Sequence, residues 1–206
     1  DKITPDFPDK KISVAIQIND ADIEVYAPIL NMILSAFNHQ FSQRTDGSAS
    51  VILLIDELSR ICCALHSPVE GLQTLLQIGR SRGISVLLAT QSIEALKDAY
   101  SEGALQDMLC NVTYRCILRC RPDDKSMVDM IVGSFGKYEE TKRSISVGKS
   151  NSNNYSFEDK GIIKTTDLLT LPEHHKEILI APQGAYIINT CRYFKDRKIL
   201  KIMEEK

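Results

Sequence analysis

No apolar run in this 206-residue chain approaches the roughly 18 to 20 residues that a membrane helix needs. That excludes a spanning helix among these residues. No signal peptide is expected from these residues either: they begin DKITPDFPDKK, polar and with two prolines, so residues 1–10 read as a linker. The chain starts on Asp rather than Met, as expected of a processed or excised piece of something longer. Charge of one sign is not in excess. With 25 Lys and Arg against 27 Asp and Glu, the formal net charge is −2, which removes any global electrostatic case for nucleic-acid binding. The local clusters Arg80-Ser81-Arg82 and Arg192 to Lys201 read, on composition, as solvated surface. Metal-ligand spacing is also lacking. The six cysteines, at 62, 63, 110, 116, 120 and 191, form no CxxC and have no histidine close enough to complete a zinc pattern. They read as reduced packing residues of a cytosolic protein. His174-His175, between Glu173 and Lys176, reads as surface.

What is present is ordinary for a soluble globular chain: 43% apolar and 25% charged residues, enough for one substantial core or two small domains. "KISVAIQI" has the β-branched run of a buried strand. After the turn at Asn19-Asp20-Ala21-Asp22, "IEVYAPILNMILSAFNHQF" places apolar residues at three- and four-residue spacing and predicts a long helix. "VILLI" is the next buried strand, followed by a short helix or irregular stretch broken near Ser67-Pro68. "VEGLQTLLQIGRSRG" predicts a helix that ends on basic residues and stops at Gly83. "ISVLLAT" is a further buried strand, "SIEALKDAY" a short helix, "NVTYRCILRC" a strand and "DDKSMVDMIVGSFG" a helix. This alternation predicts an α/β fold with a mostly parallel sheet and helices on both faces. The last third differs. "YEETKRSISVGKSNSNNYSFEDKG" reads as a mobile hairpin or loop, "TTDLLTLP" as a short helix with a Thr cap, and "EILIAPQGAYIINTCRYF" as a hairpin turning at Pro182-Gln183-Gly184. The domain reading is therefore linker 1–10, core 11–137, and a C-terminal β-hairpin extension 138–206 packed on the same domain.

The chemistry gathers where the strands end. "VILLI" finishes in Asp56 and Glu57. In P-loop ATPases of the RecA-like class, a carboxylate at the carboxyl end of a rigid strand orients the water shell of Mg²⁺, and a neighbouring one polarises the attacking water. On its own this pattern is short, and a strand end that is merely acidic reads the same way. A second element adds to it: "ISVLLATQS" delivers Thr90 and Gln91 at its carboxyl end. A right-handed crossover between the two strands puts Asp56 and Gln91 on one edge of the sheet, where a glutamine can reach a γ-phosphate and the lytic water. A third element is Arg80. It is either a finger reaching a phosphate on a neighbouring subunit or, like Arg82, a cation complementing a helix C-terminus. Arg82 is the weaker candidate for the finger.

A phosphate-binding loop is the absence that matters most. The only Gly-Lys-Ser is Gly148-Lys149-Ser150. A Walker A motif needs Gly at position 143, where Arg143 stands, and a helix after it, where "NSNNYS" follows. The carboxylates are therefore expected to serve a loop lying upstream of Asp1, with this chain incomplete as an ATPase by itself.

From about Lys11 to Phe194 the chain resembles the type IV secretion coupling proteins, the conjugative DNA-transfer ATPases. "VAIQI…YAPILNMILSAFNHQF" is similar to the strand and helix preceding the family's Walker B strand, and "VILLIDELSRI" to that strand. "GRSRGISVLLATQSIEAL" is similar to its most recognisable segment. "MIVGSFGKYEETKRSISVGKS" and "TTDLLTLPEHHKEILIAPQG" resemble its C-terminal segments. The resemblance implies the C-terminal half of a RecA-like nucleotide-binding domain, with ATP and Mg²⁺ as cofactors. It implies a protein that is a homo-hexamer when active and pumps DNA and an attached relaxase cargo into a type IV secretion channel. Such a protein sits at the cytoplasmic face of the bacterial membrane, held there by an N-terminal segment absent here. By the same resemblance, Asp56 orients Mg²⁺ through water, Glu57 is the catalytic base, Gln91 the γ-phosphate sensor and Arg80 the finger acting in trans. Two positions depart from the family pattern: Ile163-Lys164 stands where Arg-Pro is usual before the Leu-Leu-Thr stretch, and Thr190, Cys191 and Arg192 stand where a lysine is frequent. The alternatives are a related hexameric DNA-translocating ATPase, and a non-catalytic assembly module that keeps the fold without the reaction. The Ser/Asn-rich segment 144–156 is a candidate to face a pore.

Overall fold

The computed structural model describes residues 12–45, 48–118, 123–146, 152–172, 176–190 and 192–204. Two compact units divide the chain, Asp1–Val112 and Thr113–Lys206. The division falls upstream of the 137/138 boundary drawn from composition.

In the first unit the long helix forms as its spacing predicts. This helix, α1, spans Ile23–Ser42. Strands β1 (Val51–Ile55) and β2 (Ile84–Leu88) pair in parallel, from Val51 opposite Ile84 to Ile55 opposite Leu88. Between them run α2 (Leu58–Leu65) and α3 (Leu72–Ile78), and after β2 come α4 (Ile93–Tyr100) and α5 (Glu102–Asn111). The period-2 alternation of a strand sends Val51, Leu53, Ile84 and Val86 to one face. There they pack with Phe41 and Phe37 of α1 and Leu75 of α3. Helix α2 packs on α1 and α4, and α3 on α1 and α5.

Three expectations change in this unit. Helices were expected on both faces of the sheet. Among the described residues they cover one, and Ile52, Leu54 and Leu87 on the other are exposed. Residues 12–18, expected as a strand, carry no strand, because apolar β-branched residues make a strand only where a neighbouring backbone completes the ladder. Helix α5 was given no assignment from the sequence. It begins at Ser101, whose hydroxyl accepts from the Ala104 N–H at 3.4 Å.

The second unit is antiparallel. Strand β3 (Arg115–Ile117) pairs with β6 (Lys176–Ala181), which pairs with β7 (Gly184–Asn189), in the order β3-β6-β7. The hairpin turns through Pro182 and Gln183, with Ala181 opposite Gly184. Strand β3 does not extend a parallel sheet, as the alternating pattern predicted. The β6 strand offers it both a ladder and a matching apolar face, with Ile117 opposite Ile178. Between β3 and β6 lie α6 (Lys125–Phe135), β4 (Lys137–Ser146), β5 (Ser152–Gly161) and α7 (Thr165–Leu169). The polar stretch expected as hairpin or loop is a hairpin, its ten-residue strands β4 and β5 registering from Lys137 opposite Gly161 to Ser146 opposite Ser152. Of the pore candidate 144–156, residues 147–151 lie outside the described residues. Helix α7 is not capped by Thr. Its N-cap is Lys164, whose backbone N–H donates to the Asp167 carboxylate three residues on at 3.0 Å. The core joins Ile131 of α6 to Ile117, Ile178 and Ile180 of the sheet and to Leu168 of α7. A last helix, α8, spans Arg197–Glu204.

Candidate functional site

The carboxyl ends of β1 and β2 meet at one edge because the strands are parallel and in register. Past the last ladder pair the two chains stay joined: the Ala89 N–H donates to the Ile55 carbonyl at 2.9 Å, and the Leu58 N–H donates to the Ala89 carbonyl at 2.9 Å. These bonds hold the Asp56-Glu57 turn beside Thr90 and Gln91. Asp56 is exposed and Glu57 half-buried. The Glu57 N–H donates to Asp56 Oδ1 at 3.0 Å, and Gln91 Nε2 donates to Glu57 Oε1 at 2.5 Å. The edge thus carries two adjacent carboxylates, one of them held by an amide from the neighbouring strand.

Glu57 adopts φ 55° and ψ 43°, in the left-handed region. A side chain there costs about 1–2 kcal/mol relative to ordinary helix geometry, and such residues cluster at functional sites. The turn lets the chain leave β1, project Glu57 at the edge and enter α2 within two residues. Nothing in the sequence signals this conformation, since the usual marker of positive φ is glycine or asparagine.

Arg80 is not brought to this edge. It is exposed in the turn between α3 and β2, beside the start of β2, where the Ile84 N–H donates to the Gly79 carbonyl at 2.8 Å. Because β2 is five residues long, its first and last residues are about 13 Å apart. Arg82 serves the fold: half-buried, it donates through Nη1 to the Arg44 carbonyl just beyond α1.

Among the described residues, no cluster of three or more His, Cys, Asp or Glu side chains is arranged to hold a metal ion. The pair His174-His175 and the decoy Gly148-Lys149-Ser150 lie outside those residues, as do Cys120 and Cys191. Of the described cysteines, Cys62 is buried as expected, whereas Cys63, Cys110 and Cys116 are exposed and not packing residues.

A parallel strand pair with helices packed on it fits the RecA-like α/β class, and solved structures match this chain in that fold. The bacterial conjugative coupling protein TrwB in an unbound form matches with a TM-score of 0.62 at 16% identity, over 84% of this chain and 39% of that one. TrwB with a non-hydrolysable ATP analogue matches with a TM-score of 0.64 at 16% identity, over 84% and 38%. TrwB with ADP and Mg²⁺ gives 0.63 at 16%, over 84% and 38%. The chain therefore spans about two fifths of the length of these proteins. A search of curated sequences found no match. A family model described as the TraM recognition site of TraD and TraG matches residues 50–173. This chain belongs to that family, the TraD and TraG coupling proteins.

Proposed function

We propose that this chain supplies the acidic edge of an ATP-hydrolysing site in a conjugative coupling protein that drives DNA and an attached relaxase into a type IV secretion channel. The observation that carries the reading is the convergence of Asp56, Glu57 and Gln91 at one edge of a parallel strand pair, with Gln91 on Glu57 at 2.5 Å. The family match supports the conjugative setting, and the description of its model points to TraM as a partner.

The donor set suits Mg²⁺. That ion takes oxygen ligands and is usually held by one or two carboxylates together with substrate phosphates and water, which agrees with the pair of carboxylates at this edge. Bound here, Mg²⁺ and ATP would supply the phosphoryl group and the cation that neutralises its charge. Asp56, exposed at the strand end, would hold the ion through water. Glu57 accepts the proton of the attacking water, its carboxylate held by the amide of Gln91. Gln91 fixes Glu57 from β2 and reports the γ-phosphate by exchanging that contact for one to the nucleotide. Arg80, beyond the opposite end of β2, acts in trans on a nucleotide held by the next subunit of a homo-hexamer. Residues 11–137 form the core of this reading and 138–206 its extension. Hydrolysis belongs to the longer protein that also carries a phosphate loop and a membrane segment, at the cytoplasmic face of the membrane.

The test is Glu57→Gln in that longer protein. Loss of a general base is expected to lower the hydrolysis rate by about 100-fold or more, with nucleotide binding retained. Unchanged hydrolysis would leave the non-catalytic assembly module as the better reading.

A further inference from the structure

The stretch 192–204 departs from the rest of the chain in charge. It has five cationic side chains against two carboxylates, Asp196 and Glu204, in a chain whose net charge is −2. Asp196 is taken up as a helix cap: its Oδ1 accepts from the backbone N–H of Lys198 at 2.8 Å and of Ile199 at 3.4 Å, so its charge faces the positive end of α8. Around it, Arg192, Lys195, Arg197 and Lys198 line a shallow groove of about 530 Å³.

Helix α8 is also amphipathic. Ile199, Ile202 and Met203, at i, i+3 and i+4, share one stripe, and the cations at 197, 198 and 201 fall on the other side. The apolar stripe is not fully covered by the fold. Ile202 is 64% and Met203 57% exposed, and Phe194, in the 3-10 turn Tyr193–Lys195 against which α8 mainly packs, is 55% exposed. Exposed apolar groups and concentrated positive charge therefore occupy the same short segment.

We propose that α8 and the turn before it form a peripheral contact with an anionic lipid bilayer. The apolar side chains enter the boundary between headgroups and acyl chains, and the cations meet lipid phosphates. A nucleic-acid backbone would engage the cations but leave Ile202, Met203 and Phe194 in water, whereas a bilayer surface takes up both features. Eight residues cannot span a bilayer, so the helix lies on the surface and the contact is reversible. Apolar burial and attraction of the cations to anionic lipid add together in such a contact. This inference does not depend on the nucleotide site and stands or falls separately from the Glu57 experiment.

The test is co-sedimentation of the whole chain with vesicles of phosphatidylcholine alone or of phosphatidylcholine with phosphatidylglycerol. The chain is expected to sediment with the anionic vesicles only, and raised salt should release it by screening the cations. Reversing two charges, Lys195→Glu with Lys198→Glu, should weaken binding by about tenfold or more. Replacing the exposed apolar pair, Ile202→Ser with Met203→Ser, should weaken it while the charge is unchanged. Equal sedimentation with both vesicle types, or with neither, overturns the proposal. So does an apolar variant that binds as well as the parent while short duplex DNA displaces both, which would assign the patch to nucleic acid.

Discussion

At the scale of single residues, the informative positions combine a chemical role with a cost to the fold. Glu57 holds a left-handed backbone that a glycine adopts without strain. Glu57→Gly is therefore expected to be more stable than Glu57→Ala by about 1 kcal/mol, measured by urea denaturation, while both lack the carboxylate. Equal stabilities would mean that the turn carries no stored strain. Tyr100 is a residue of the opposite kind, buried and structural. Its hydroxyl accepts from the Val69 N–H at 3.0 Å, and burial pushes its phenol above the ordinary value, with the nearby Cys62 thiol adding to the shift. Below pH 10, the ordinary phenol value, folded and unfolded chains both keep this proton and the stabilisation is fully present. Above it the unfolded chain loses the proton first, so stability falls as pH rises toward the folded value. Tyr100→Phe should cost about 1–3 kcal/mol at neutral pH, because the Val69 N–H loses its acceptor. It should also make the alkaline decline shallower, which a series of denaturation midpoints across pH would show.

At the scale of elements, the turn from α3 into β2 sets the register of the parallel pair. Gly83 sits there at φ +69°, its carbonyl accepting from the Val51 N–H at 2.9 Å, and a Cβ on it would lie 2.9 Å from the Ser48 backbone oxygen. Gly83→Ala is expected to destabilise the first unit by more than 1 kcal/mol, since strain and a backbone clash act together. Thermal unfolding followed by circular dichroism tests this, and an unchanged midpoint would contradict the role given to the turn. The β1–β2 pair aligns Asp56, Glu57 and Gln91, so a shift of register here would separate the carboxylates from the amide that holds Glu57.

At the scale of the whole molecule, the described residues cover the parallel pair on one face only. Parallel strands ordinarily have both faces buried, and here Ile52, Leu54 and Leu87 are exposed. Each such side chain contributes about 1.5–3 kcal/mol when fully buried, which favours association of the isolated chain through this face. Sedimentation velocity is expected to show concentration-dependent oligomers, and Ile52→Thr with Leu54→Thr should shift them toward monomer. A monomer at every concentration would show that the face is tolerated in water.

The sequence by itself determined much of this protein. The periodicity of α1, the apolar runs of β1 and β2, the turn at Pro182-Gln183 and the acidic end of β1 are all local patterns. Local patterns are readable because side-chain spacing follows backbone period. The residues of the candidate site were legible for the same reason: Asp56, Glu57 and Gln91 each stand at the end of a recognisable strand. Tertiary structure alone decided the rest. Whether 12–18 forms a strand depends on a partner backbone, which no periodicity reports. That β3 runs antiparallel follows from the proximity of β6, some sixty residues later in the chain. The exposed face of the sheet, the bond between Gln91 and Glu57, the remoteness of Arg80 and the left-handed turn at Glu57 all depend on what lies across space rather than along the chain. A sequence records that distance only where a residue such as glycine marks it.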